Sequence, residues 1–112
     1  MENRRRQQRY GARLKGYIWA EGRKASVETL NLSASGVRIS LDAPLLEGAE
    51  VKLRLYVALN GSTKSEPITV SGVVVWCNED MDVGFQAGIR FDAISDDHRQ
   101  YLEGSLPSYA PV

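Results

Sequence analysis

Apolar residues recur at every second position in four separate runs, and that period fixes the class of fold open to the chain. Val37, Ile39 and Leu41 alternate with Arg38 and Ser40, and Val51, Leu53, Leu55, Val57 and Leu59 alternate through Lys52, Arg54 and Tyr56. A third run sets Ile68, Val70, Gly72, Val74 and Trp76 on one face. A fourth sets Val83, Phe85, Ala87, Ile89 and Phe91 opposite Gly84, Gln86, Gly88 and Arg90. Successive side chains of a strand point to opposite faces, so each run predicts a strand with one buried side; an amphipathic helix would repeat at about 3.6 residues instead. Weaker runs at Leu14–Trp19 and Ala25–Leu30 flank a turn at Glu21-Gly22-Arg23.

Six short strands in a chain of 112 residues suit one hydrophobic core. Closing them into a barrel removes the edges and gives the single set of inward side chains a common interior. The expected fold is therefore all-β, a small six-stranded antiparallel barrel. Asn60–Pro67 reads as a polar connection and Asn78–Asp82 as an acidic turn. Ser95–Gly104 opens with a capping serine and acids in the first turn and stops at glycine, which predicts a short C-terminal helix carrying Tyr101 and Leu102 against the barrel beside Ile94. Residues 1–13 are expected as a flexible arginine-rich segment, 14–106 as the barrel domain with its helix, and 107–112 as a tail in which Pro107 and Pro111 oppose regular helix.

Several function classes drop out. The longest strongly apolar run, Val73–Cys77, is far short of the roughly 20 residues of a membrane helix, and the polar N-terminus does not lead into a secretory apolar stretch. Cys77 cannot form an intrachain disulfide, and His98 cannot supply a His-rich metal cluster; both favour a cytoplasmic protein without metal or cofactor. His98 lacks the Ser/Asp or Cys/Asn partners of nucleophilic chemistry and reads as a helix surface residue, so no catalytic residue is assigned. Glu79, Asp80 and Asp82 lack the ordered spacing of a calcium loop and read as a solvated turn. Trp76, Phe85 and Phe91 occupy apolar registers and are expected in the core.

Net charge is zero but unevenly spread: residues 1–24 carry eight Lys/Arg against two acids, and residues 25–112 carry six against twelve. An anionic partner is thus expected at the N-terminal segment. Two features there and nearby can carry function. Arg4-Arg5-Arg6-Gln7-Gln8-Arg9-Tyr10-Gly11-Ala12-Arg13 is either a solvated basic tail or a clamp for a multivalent anion, since guanidinium offers a planar donor fork to phosphate and to guanine O6 and N7 and can stack on a ring. Asn31-Leu32-Ser33-Ala34-Ser35-Gly36 is either a plain turn or a polar patch in which Asn31 and Ser33, two apart on extended backbone, point together at a base edge while Gly36 leaves space and backbone freedom.

In these residues the chain resembles the PilZ family of cyclic di-GMP receptors, whose signature pairs two arginines four apart with Asp or Asn, Ser and Gly in the next strands. Arg9-Tyr10-Gly11-Ala12-Arg13 matches the first part, Asn31-Leu32-Ser33-Ala34-Ser35-Gly36 the second, and Val73–Trp76, Gly88–Phe91 and the helix after Ser95 also look like that family. The resemblance covers nearly all the chain and implies a barrel of the split-barrel type. It implies that Arg9 and Arg13 engage phosphates and guanine faces, that Asn31 and Ser33 contact a guanine edge or hold the arginine loop, and that Gly36 closes the turn beside the ligand. Arg5, Arg6, Gln8 and Arg38 are additional candidates. Arg5 and Arg9 share the same spacing, so the register stays open, with Arg9/Arg13 preferred because Arg13 adjoins the first strand. With Asn at 31, one acceptor oxygen and an NH₂ donor take the place of two charged oxygens. The implied function is a noncatalytic bacterial receptor that binds cyclic di-GMP and relays it to an unidentified protein in motility, adhesion or secretion. The alternatives are a small barrel binding single-stranded nucleic acid through its basic arm and an adaptor of the same fold that binds no nucleotide.

Overall fold

The computed structural model describes residues 8–58, 65–82 and 84–112. Six strands, β1 (Lys15–Ala20), β2 (Arg23–Leu32), β3 (Gly36–Leu41), β4 (Glu50–Ala58), β5 (Ser65–Asp80) and β6 (Gly84–Ile94), precede a helix, α1 (Asp96–Ser105), and a single 3₁₀ turn at Leu106–Ser108. All neighbouring pairs are antiparallel, and the order β1-β2-β3-β6-β5-β4 closes on itself through β1 and β4. The expected barrel with its C-terminal helix is thus the observed one. Parts of three expected features, Leu59, Val83 and most of the Asn60–Pro67 connection, lie outside the described residues.

Alternation builds the core as the sequence requires. Ile18, Val27, Ile39, Leu53, Leu55, Val57, Ile68, Val70, Val74 and Ala87 are all buried, each from an inward position of its strand. The β1–β2 connection has two central residues, Glu21 and Gly22, both at positive φ (54° and 78°), which is the twist a two-residue hairpin needs and which glycine accommodates without strain. Strand β5 is longer than the apolar run suggested. Its first half pairs with β4 and its second with β6 as far as Asp80, so the acidic stretch from Asn78 is mostly strand.

Helix α1 starts where its cap places it, with Ser95 Oγ accepting from His98 N at 3.2 Å and two acids in the first turn. It runs through Gly104 to Ser105 rather than stopping at the glycine, and Pro107 follows in the 3₁₀ turn. Leu102 is fully buried against the barrel, and Tyr101 Oη donates to Val57 O at 2.9 Å. His98 is more than a surface residue: its Nδ1 accepts from Thr69 N at 3.1 Å. Pairing of β5 with β6 begins only at Val70, so the helix satisfies a strand amide that lies beyond the end of β6.

Candidate functional site

Backbone bonds hold the arginine segment on both sides. Tyr10 N donates to Leu32 O at 2.8 Å and Leu32 N donates to Tyr10 O at 2.9 Å, which joins the segment to the end of β2. On the opposite side Gly11 N donates to Ala110 O and Val112 N to Arg9 O, each at 2.8 Å, so the C-terminal tail is the segment's second neighbour. Ala12 and Leu14 turn inward. Beneath them Thr29, fully buried, accepts from Leu14 N at 2.7 Å through Oγ1 and donates the same hydroxyl to Ala12 O. From Gln8 to Ala12 the segment thus has hydrogen-bond partners on β2 and on the tail, and the candidates Arg5 and Arg6 lie outside the described residues.

Docking carries Arg9 to Asn31, and its Nη1 donates to Asn31 Oδ1 at 2.9 Å. Asn31 faces outward because of a bulge. Thr29 pairs with Ile39, but Asn31 pairs with Arg38, which leaves Leu30 as an extra residue in β2. Val27 and Thr29 point inward at odd positions and Leu32 at an even one, so the extra residue reverses the alternation and delivers Asn31 to the outer face beside Arg38.

A second bulge treats Trp76 in the same way. Val74 pairs with Ile89 and Trp76 with Gly88, leaving Val75 extra in β5. Unbroken alternation would send Trp76 after Val70 and Val74 into the core, as the sequence led us to expect. Instead it is half-buried on the outside, packed on Gly88, where an added Cβ would run into the indole nitrogen and stand 2.7 Å from Cε2.

Between these residues lies a groove of about 490 Å³, lined by Arg9, Asn31, Arg38, Trp76, Gly88 and Arg90 with Ser35, Gly36, Val37, Val75 and Ile89. That volume suits a small-molecule ligand. Arg38 Nε donates to Gln86 Oε1 at 3.0 Å, and Gln86 Nε2 in turn donates to Asp80. Arg90 faces Asp92 at 3.5 Å with both side chains largely exposed, a pair too weak and solvated to neutralise it. Three guanidinium groups, one amide and one indole thus share a groove floored by β3 and β6. Such a set can hold a ligand that combines anionic groups with flat heteroaromatic rings.

The other expected residues take different places. Arg13 is exposed, on the same outward side of the segment as Arg9 by alternation, but outside the groove's lining and without a side-chain hydrogen bond to a described residue. Gln8 Nε2 donates to Arg9 O at 3.0 Å and to Val112 O at 3.4 Å, which serves the docking of the segment. Ser33 does not point with Asn31 at a common target: β2 ends at Leu32, and Ser33 is fully buried in the following turn. Its Oγ accepts from Ser35 N and Gly36 N, both at 3.2 Å. Gly36 answers to close packing rather than to backbone freedom, since a Cβ there would stand 2.7 Å from Ile89 O of the neighbouring strand. Thr29, Trp76, Arg90 and the tail are contributors that residue spacing alone did not single out.

Among the described residues no group of three His, Cys, Asp or Glu is arranged to hold a metal ion, and no helix is long and apolar enough to cross a membrane. The profile of the PilZ domain matches residues 3–106. No curated protein matches the sequence. Among solved structures, the Bacillus subtilis inhibitor of motility MotI/DgrA superposes with a TM-score of 0.80 at 19% identity, over 94% of this chain and 50% of that one. The present chain thus spans about half the length of that relative. The PilZ domain of YcgR from Escherichia coli, solved with c-di-GMP, gives a TM-score of 0.68 at 16% identity, over 96% of this chain and 92% of that one. At these identities the likeness is one of fold.

Proposed function

Since the chain belongs to the PilZ domain family, we propose that it is a noncatalytic receptor whose groove at Arg9, Asn31 and Trp76 binds cyclic di-GMP. The observation that carries this reading is the 2.9 Å hydrogen bond from Arg9 to Asn31, which brings the two separated halves of the motif together at one groove. The YcgR domain of the same fold, solved with c-di-GMP, supports the choice of ligand.

Each residue has a role that its chemistry allows. Arg9 exchanges Asn31 Oδ1 for guanine O6 and N7 or for a phosphate, because its fork fits either acceptor pair. Asn31, released, turns its single acceptor to guanine N1–H or N2–H. Trp76 supplies an aromatic face for a base, and Arg38 and Arg90 lower the cost of bringing two phosphates into the groove. Arg13 reaches in from the solvent side as the second arginine of the clamp. Both spacings of arginines four apart include Arg9, which lines the groove, so the choice between Arg5 and Arg13 as its companion leaves the role of Arg9 unchanged. Ser33 and Gly36 are positioning residues that hold the turn and the β3–β6 approach. Because the segment shares backbone bonds with the tail at Ala110 and Val112, ligand held by Arg9 also tightens the C-terminus, which alters the surface offered to a downstream protein.

Calorimetry of the purified protein with cyclic di-GMP, cyclic di-AMP, GMP and a short single-stranded RNA tests the reading. Saturable binding that is tightest for cyclic di-GMP is expected. Tighter binding of the RNA, or no heat with cyclic di-GMP, overturns it.

A further inference from the structure

Strands β1 and β4 and the first half of β2 lie across the closed barrel from the groove, which is floored by β3 and β6 and edged by Trp76 of β5 and by Asn31 at the end of β2. Their outer faces form a lattice that the pairing register defines. Trp19 stands between Lys24 of β2 and Lys52 of β4, and one step along β1 Tyr17 stands between Ser26 and Arg54. Lys24 Nζ sits 4.4 Å from the centroid of Tyr17 and 5.6 Å from that of Trp19, and the two rings are 6.3 Å apart at a tilt of 53°. Lys15, Lys52 and Arg54 are exposed and make no ion pair or side-chain hydrogen bond with a described residue. Trp19 is 37% exposed in the middle of these cations.

A strand face that only needs solvation carries small polar residues with both signs of charge interspersed. This one gathers Lys24, Lys52 and Arg54 around two large aromatics; the nearest acids are Glu28, paired in register with Lys15, and Glu50 and Asp92, which share a depression with Trp19 and Lys52. We propose that it is a docking surface for an acidic segment of a partner protein. Trp, Tyr and Arg are the side chains that most often anchor protein interfaces, and unpaired cations gain most from carboxylates that bring no further desolvated group. A depression of about 440 Å³ continues the face from Tyr17, lined by Lys15, Ser26, Glu28, Ser40, Asp42 and Tyr56. Its two carboxylates give the surface a direction: acids of the partner lie over Lys24, Lys52 and Arg54, and its uncharged end lies towards Asp42. Single-stranded nucleic acid fits less well. Lys24 covers both rings, and their tilt offers no pair of parallel stacking platforms for successive bases.

This proposal is independent of the reading of the groove, and the two tryptophan indole N–H signals report the two faces separately. In the test, the nitrogen-15-labelled full chain is titrated with a heptapeptide of alternating acidic and apolar residues (EFDLEFD), with its lysine counterpart (KFKLKFK) and with a dodecamer of thymidine. Saturable shifts are expected at the Trp19 indole and at amides of β1 and β4 with the acidic peptide alone, while the Trp76 indole stays in place. The double substitution K52E/R54E is expected to weaken that binding about tenfold or more; if its spectrum loses dispersion, Lys52→Ala with Arg54→Ala replaces it. Absence of saturation up to millimolar peptide, equal binding of the lysine peptide, tighter binding of the oligonucleotide, or shifts at Trp76 without Trp19 each overturn the assignment.

Discussion

Replacing Thr29 by Val removes one hydroxyl and keeps the shape of the side chain. Two buried backbone groups lose their partner at once: Leu14 N, which donates to Oγ1 at 2.7 Å, and Ala12 O, which accepts from it. Thr29 is fully buried, so water cannot take the hydroxyl's place without opening the segment. A buried donor or acceptor left unpaired costs about 1–3 kcal/mol, which for two groups is about 2–6 kcal/mol. Burying a methyl in place of the hydroxyl returns about 1 kcal/mol, leaving a net loss of about 1–5 kcal/mol from a typical stability of about 5–15 kcal/mol. Thr29→Ser keeps the hydroxyl and is expected to lose only about 1 kcal/mol for the missing methyl. Urea unfolding of the three proteins, followed by far-ultraviolet circular dichroism, measures the difference, and amide exchange at Leu14 is expected to quicken in the valine variant. Equal stability of the Val and Ser variants, with Leu14 exchange unchanged, would refute the assignment of Thr29 as the clamp of the arginine segment.

Arg9→Ala is expected to weaken cyclic di-GMP binding by about 1–3 kcal/mol, or roughly 5–150-fold, and Arg13→Ala by less, because Arg9 lines the groove and Arg13 stands outside its lining; calorimetry of the two folded variants ranks them. Gly88→Ala is expected to push the Trp76 indole off β6 and to reduce affinity without loss of the barrel, which binding and circular dichroism on one sample separate. Ser33→Ala leaves the buried Gly36 amide without its acceptor, while the amide of exposed Ser35 can turn to water, and is expected to lower stability by about 1–3 kcal/mol in urea unfolding with a small change in affinity.

The strands were legible because burial on one face imposes a period of two, and Val37, Ile39, Leu53, Leu55, Ile68 and Val70 all keep it. The candidate site is visible in the sequence as a pair of motifs and less so as a geometry, for a physical reason. Asn31 and Trp76 reach the outer face only because Leu30 and Val75 are extra residues in their strands, and a bulge reverses alternation without changing the apolar character of the run. An expected core tryptophan thereby becomes a wall of the groove. Ser33 looked like a partner of Asn31 because they stand two apart, but the strand ends between them and the hydroxyl turns inward to the backbone. The work of Thr29 and of the tail at Ala110–Val112 depends on contacts across the chain that no local pattern encodes. His98 was invisible as a ligand of the Thr69 amide for the same reason.

The place of the ligand is tested most directly by intermolecular nuclear Overhauser effects on isotope-labelled protein saturated with cyclic di-GMP. Contacts from guanine H8 and the ribose protons to the Trp76 ring, the Arg9 side chain and the Asn31 amide are expected, with none to Trp19. A saturated complex whose ligand contacts fall on Tyr17 and Trp19, or anywhere away from Arg9 and Asn31, would contradict the groove as the binding site.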